Sequence, residues 1–157
     1  MIGCPGRGKS TILIPALIAA GLPRTSVTSL DETRKRLYGS ASILGGYEVE
    51  KETRLAERAL MERGRSVVRD ATGLNPRLRR TDILRARAFD YSAVALLAST
   101  LSLRELRRRN ASRAARVSDH VLMSFYLKAE ATTVHGLLAE GFDTVVVWND
   151  RTVFTLN

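Results

Sequence analysis

The stretch Gly3-Cys4-Pro5-Gly6-Arg7-Gly8-Lys9-Ser10 satisfies the pattern G-x-x-x-x-G-K-[ST] at every fixed position. Gly6 and Gly8 let the backbone turn until several N–H groups point at one anion. The helix expected to follow adds the positive end of its dipole. In such a loop Lys9 reaches the β- and γ-phosphates and the Ser10 hydroxyl ligates Mg²⁺. Thr11 is expected to touch an inner phosphate, and Arg7, between the glycines, counts among the nucleotide-binding residues. The ligand read from this stretch is a nucleoside triphosphate, ATP or GTP. The reaction is not read from it, because NTPases, kinases and binding modules share the loop.

Outward from the loop, the chain alternates strand and helix. "GKSTILIPALIAAG" reads as a helix ending at Gly21, with a kink expected at Pro15. "TSVTSL" (25–30) is a short strand, and "DETRKRLYG" a helix with Asp31 as a candidate cap. "SILGGYEVE" is a loop leading into an amphipathic helix at 50–64. "SVVRD" is a strand, "GLNP" a turn and "RLRRTDILRARAFD" a basic helix. "YSAVALLAS" (91–99) is an apolar strand of the kind a buried parallel sheet takes. An Arg-rich helix or lid spans roughly 104–120, followed by one or two helices and the strand "TVVVW" (144–148). "RTVFTL" (151–156) reads as pairing back in a hairpin.

Strands separated by helices predict an α/β fold: a three-layer P-loop kinase architecture in which helices flank a mostly parallel central sheet, in one domain over 1–157. The strand that should precede the loop is represented only by Met1 and Ile2, where about five residues are expected. Residues upstream of Met1 are expected to complete it, because a missing central strand leaves its neighbours' backbone groups unpaired.

A chain of 157 residues can bury a core without staples. Cys4 is the single cysteine, which excludes an intrachain disulfide. No apolar run approaches the ~18 residues of a membrane span, and the Gly-rich start does not read as a signal peptide, so a cytoplasmic location without membrane partners is expected. His120 and His135 lack ligand spacing, so no protein-built zinc site is expected. Lys plus Arg outnumber Asp plus Glu by 25 to 16, a formal charge of +9, nearly all of it arginine. Such a field favours polyanions.

Phosphoryl transfer to an alcohol needs a base for the hydroxyl proton, cationic charge on the moving phosphoryl group and a metal anchor. Asp31 is the base candidate: it follows the second strand, where carboxyl ends of strands meet a ligand crevice. Arg34 lies one helical turn on, facing the same side, where it can hold a phosphate of the acceptor. Asp70 closes an apolar strand in the manner of a metal-organising acid. Asp70 and nearby Thr72 complete the substrate-side candidates. The segment 104–116 supplies the cations, six arginines against one glutamate. Arg109, Arg113 and Arg116, spaced i, i+4, i+7, are expected to share one helix face, and Arg104 and Arg108 another. A free-standing helix of this kind repels itself, a strain an anionic ligand relieves. The region of Trp148 and Asn149 is expected to approach the nucleobase.

Together, "GCPGRGKST", "LDETR", "VVRDATGLNPRLRR" and "RRNASRAARVSDHVL" resemble the polynucleotide 5′-hydroxyl kinases of phage and bacterial nucleic-acid repair, over roughly residues 3 to 125. The R-N-x-x-R and D-x-T-x-L-N-P segments are the particular ones. The resemblance implies transfer of the γ-phosphate of a nucleoside triphosphate to the 5′-OH end of DNA or RNA, in a bacterial or phage-infected cell. It implies that Asp31 is the general base, that Arg34 holds the phosphate on the 3′ side of the acceptor nucleotide, and that Arg113 contacts the donor phosphates with Arg109 and Arg116 in support. Lys9 and Ser10 take nucleotide and metal. The chain departs from the family where Ser118 stands in place of a common proline, and the phosphatase domain some relatives carry is not expected within these 157 residues. Two other readings stay open: a small-molecule or toxin-like phosphotransferase on the same scaffold, and a nucleotide-binding module without transfer chemistry. A homo-oligomer is compatible with all three.

Overall fold

The computed structural model describes residues 1–41, 46–113 and 116–155. The Gly-containing loop read at 42–45, positions 114 and 115 of the lid and Leu156 of the expected hairpin lie outside these residues. In chain order the elements are α1 (Ile14–Ala19), β1 (Val27–Ser29), α2 (Leu30–Tyr38), α3 (Tyr47–Met61), β2 (Val68–Asp70), α4 (Pro76–Arg87), β3 (Val94–Ala98), α5 (Leu103–Ala111), α6 (Asp119–Glu130), α7 (Val134–Glu140) and β4 (Thr144–Trp148). This is an α/β fold with parallel strands flanked by helices. The chain forms two compact units, Met1–Leu13 with Thr72–Val153, and Ile14–Ala71 with Phe154–Asn157.

In the first unit β3 pairs in parallel with β4, Val94 opposite Thr144 through Ala98 opposite Trp148. Ile2 bridges Leu97 on the other side of β3, also in parallel. Its N–H donates to Leu96 O at 2.8 Å, and its carbonyl accepts from Ala98 N at 2.9 Å. Of the two residues expected to form a strand end, Ile2 makes the bridge. Ile2, Leu74, Ala95, Leu97 and Leu137 make one buried cluster, and Cys4, Leu106 and Leu122 make another, with Phe125 and Ala129 packed against both. The second cluster seats the phosphate loop on α5 and α6. Leu106 is fully buried there. Leu106→Ala is expected to cost about 2–5 kcal/mol of stability, read by urea denaturation of the full chain.

In the second unit β1 pairs in parallel with β2, Ser29 opposite Asp70. An ionic network fastens α3 to this pair. Buried Glu57 accepts from Thr28 Oγ1 at 3.0 Å and from Arg69 Nε and Nη2 at 2.7 and 2.9 Å. Arg69 Nη1 and Arg54 Nε reach Glu50 at 3.0 and 2.6 Å.

Several boundaries depart from the expectation. The winding after the loop is π-type over Lys9–Leu13 before α1 begins, and the change falls one residue before Pro15, which has no N–H to continue a helical ladder. Ser29, not Asp31, caps α2: in extended conformation its Oγ accepts from Glu32 N at 3.4 Å, so the cap lies two residues earlier and Asp31 sits in the first turn. α3 starts at Tyr47 rather than 50 and ends at Met61. Residues 151–155 form no strand. Instead the Asn149 side chain accepts from Arg151 N at 2.8 Å, and Thr152 N donates to Asn149 O at 3.1 Å, a turn built by the asparagine.

Candidate functional site

The phosphate loop curls around its own lysine. Lys9 Nζ donates to Gly3 O at 2.8 Å and Cys4 O at 2.9 Å, and the side chain is buried. Gly8 O accepts from both Ile12 N at 2.8 Å and Leu13 N at 3.1 Å, which closes the π-wound turn. Ser10 and Thr11 stand exposed at this helix start, where the first N–H groups have no intrahelical acceptor. Gly6 is glycine for its backbone, and it lies in contact with α5. Its φ is 79°, and a Cβ there would lie 3.5 Å from Arg109 Cβ. The loop therefore runs directly against α5, the Arg-rich helix. The Cys4 thiol donates to Phe125 O at 3.4 Å. Burial pushes its pKa up, so it serves as a packed, protonated group rather than a nucleophile.

The Arg7 side chain turns into the protein. It is 2 % exposed, its guanidinium carbon lies 4.7 Å from the centre of the Trp148 ring, and Nε and Nη2 donate to Ser99 O at 2.6 Å and Ser99 Oγ at 2.9 Å. Nη1 pairs with Asp150 Oδ1. Trp148 itself is buried, so what the chain end of β4 offers is the turn Asn149–Thr152.

Arg109, Arg113 and Arg116 do not share one helix face as their spacing predicted, whereas Arg104 and Arg108 both lie within α5. α5 stops at Ala111, and Arg113 and Arg116 lie beyond it. The reason is Asn110. Its side-chain NH₂ donates to Val117 O at 2.8 Å, and its Oδ1 accepts from Val117 N at 3.1 Å, a two-bond clamp that turns the chain back. Nothing in the spacing of the arginines signalled it. Arg113 sits half-buried in this turn with its N–H donating to Asn110 O at 3.2 Å. The self-repulsion expected of the segment is relieved by the protein's own carboxylates. Glu105 accepts from Arg108 Nε and Nη2 at 2.7 and 2.6 Å and from Arg109 Nε at 2.7 Å. Asp119 accepts from Arg107 twice at 2.7 Å. Arg109 Nη2 reaches Asp150 Oδ2 at 3.2 Å.

Hydrogen bonds from Arg108, then Arg109, hold the Glu105 carboxyl down at about 2, below its ordinary value of 4.5. A carboxyl whose folded pKa is depressed stabilises the fold fully above its ordinary value, and that stabilisation is lost as pH falls toward the folded pKa. The thermal midpoint is therefore expected to drop between about pH 4.5 and 2. In Glu105→Gln the drop should be shallower. Equal slopes for the two proteins would remove Glu105 from the account.

The substrate-side candidates lie in the second unit, except Thr72, whose carbonyl accepts from Gly3 N at 2.9 Å in the first. β1 and β2 run parallel, so their carboxyl ends fall together: Ser29 opposite Asp70, with Asp31 and Arg34 following in α2. Asp31 is 59 % exposed, and Arg34 Nη1 donates to its Oδ1 at 2.5 Å. The structure thus brings Asp31, Arg34 and Asp70 to the carboxyl end of the β1–β2 pair, and sets Gly6 of the phosphate loop against Arg109 of α5.

The donor chemistry suits a Mg²⁺ carried by the nucleotide. No group of three or more His, Cys, Asp or Glu among the described residues forms a metal cage. The Ser10 hydroxyl at the helix start is the single hard oxygen such an ion needs from the loop when phosphates supply the others. No described helix is long and apolar enough to cross a membrane.

Residues 1–132 match the family model described as an AAA domain. The match takes in the phosphate loop, the Asp31–Arg34 pair, Asp70 and the arginines of α5, and assigns the loop to nucleoside triphosphate binding. No curated protein matches the chain.

Proposed function

We propose, from the premise that the chain belongs to the AAA domain family, that this P-loop protein is a polynucleotide 5′-hydroxyl kinase. The loop Gly3–Ser10 holds the triphosphate of ATP or GTP, with Lys9 on the β- and γ-phosphates and Ser10 on Mg²⁺. The metal supplies charge neutralisation on the phosphates. Asp31 accepts the proton of the 5′-hydroxyl as that oxygen bonds to the γ-phosphorus. The bond from phosphorus to the β–γ bridging oxygen breaks, and the nucleoside diphosphate leaves. Arg34 takes the phosphate on the 3′ side of the acceptor nucleotide, and Arg113, Arg109 and Arg116 take charge on the donor phosphates. Asp70 and Thr72 serve on the substrate side.

The observation that carries this reading is the Asp31–Arg34 pair. Asp31 follows the carboxyl end of a parallel strand, is relieved of capping by Ser29 and remains exposed to accept a proton, beside an arginine suited to an acceptor phosphate. The net charge of +9 suits a polyanionic acceptor.

The test is transfer of labelled γ-phosphate to 5′-OH DNA and RNA oligonucleotides beside a panel of small alcohols. Label on an oligonucleotide supports the proposal, and acceptor affinity should fall steeply with salt. Label on a sugar or antibiotic alone replaces it with the small-molecule reading. No transfer with intact ATP binding leaves a binding module.

A further inference from the structure

We infer that Asp150 is a positioning residue for the donor triphosphate, tying the phosphate loop to the arginine helix. This rests on reading Gly3–Ser10 as the triphosphate loop and Arg109 as a phosphate contact. Asp150 lies in the turn after β4, beyond the residues the family match covers. Its two carboxylate oxygens are divided between two arginines. Oδ1 pairs with Arg7 of the loop and Oδ2 accepts from Arg109 of α5 at 3.2 Å.

Each arginine is held differently. Arg7 is buried, spread over Trp148 and bonded twice to Ser99, so its guanidinium is fixed. A buried cation tolerates no loss of its anion, and Asp150 is the carboxylate it pairs with. Arg109 is looser, 26 % exposed, with one bond to Glu105 and one to Asp150. It is also the residue against which Gly6 packs. Asp150 therefore anchors on the buried arginine and aims the more exposed one at the loop. Here three arginines, Arg7, Arg108 and Arg109, face two carboxylates, Glu105 and Asp150. The surplus positive charge suits an arriving phosphate. When the γ- or β-phosphate binds, Arg109 keeps Nη2 on Asp150 and turns the remaining edge of its guanidinium to the phosphate, and Arg7 keeps its own bond.

The readout is the dissociation constant of Mg·ATP, by calorimetry on the full chain without acceptor, so that it stands apart from which alcohol is phosphorylated. Asp150→Asn is expected to weaken binding by about fivefold or more, and that loss is expected to fall below about threefold when Arg109 is already alanine. A loss under about fivefold, or one of the same size in both backgrounds, overturns the inference, because a purely structural role does not pass through Arg109. Should Asp150→Asn not fold, the arginine Nε–H signals of the unaltered protein decide. Mg·ATP should move the Arg109 signal, assigned with Arg109→Lys, and leave the Arg7 signal in place. An unmoved Arg109 signal overturns the inference.

Discussion

Arg113→Ala is expected to lower kcat by about 10³–10⁵ while leaving the fold intact. The size follows from the role proposed for it. A guanidinium on the transferring phosphoryl group acts where charge develops, and no other cation replaces its geometry. The structure makes the substitution a clean one. Arg113 follows α5 in the turn that Asn110 closes onto Val117, and its backbone N–H donates to Asn110 O. Alanine keeps that backbone bond. Among the described residues the Arg113 side chain makes no ion pair, so unfolding free energy should change by less than about 0.5 kcal/mol. Single-turnover rates with saturating Mg·ATP measure the effect, with a denaturation curve beside them. An unchanged rate would move the phosphate contact to Arg109 or Arg116.

Asp31→Asn is expected to cost about 10²–10⁴ in kcat with Mg·ATP affinity unchanged. Asparagine preserves shape and still accepts a hydrogen bond from Arg34, but it cannot take a proton. The pair is exposed, so its contribution to stability is at most about 1 kcal/mol. Helix capping does not enter either, since Ser29 is the cap. Any large loss of turnover is then chemical rather than structural. Equilibrium binding of Mg·ATP and single-turnover transfer, measured on the same preparation, separate the two. Near-wild-type turnover would leave Asp31 as a first-turn helix acid and remove the base from the proposal.

The phosphate loop, the helix after it and the strand-helix alternation were legible because each depends on neighbours in the chain. Glycine spacing sets what the backbone of Gly3–Ser10 can do. The apolar stretch around β3 and the run Thr144–Trp148 announce themselves by composition, and the latter matches its reading residue for residue. Even the strand end at Ile2 was legible, because a loop of this kind needs a strand before it. Boundaries were less so. The cap at Ser29 competed with a neighbouring acid, and the end of α5 was hidden in an asparagine whose partner lies seven positions on.

The sequence by itself determined that this chain carries a P-loop of the nucleotide-binding kind within an α/β fold, because those properties reside in local backbone freedom and periodicity. Only the tertiary structure decided what becomes of the arginines. Arg7 sits among the loop's glycines yet turns inward to Trp148 and Asp150, the latter 143 positions away. Glu105 and Asp150 share Arg109, and Asn110 separates Arg113 from the helix face its spacing suggested. A charged side chain settles where it finds a counter-charge and a hydrogen-bond acceptor, and for these residues those partners are set by the packing of β4 and α5 against the loop.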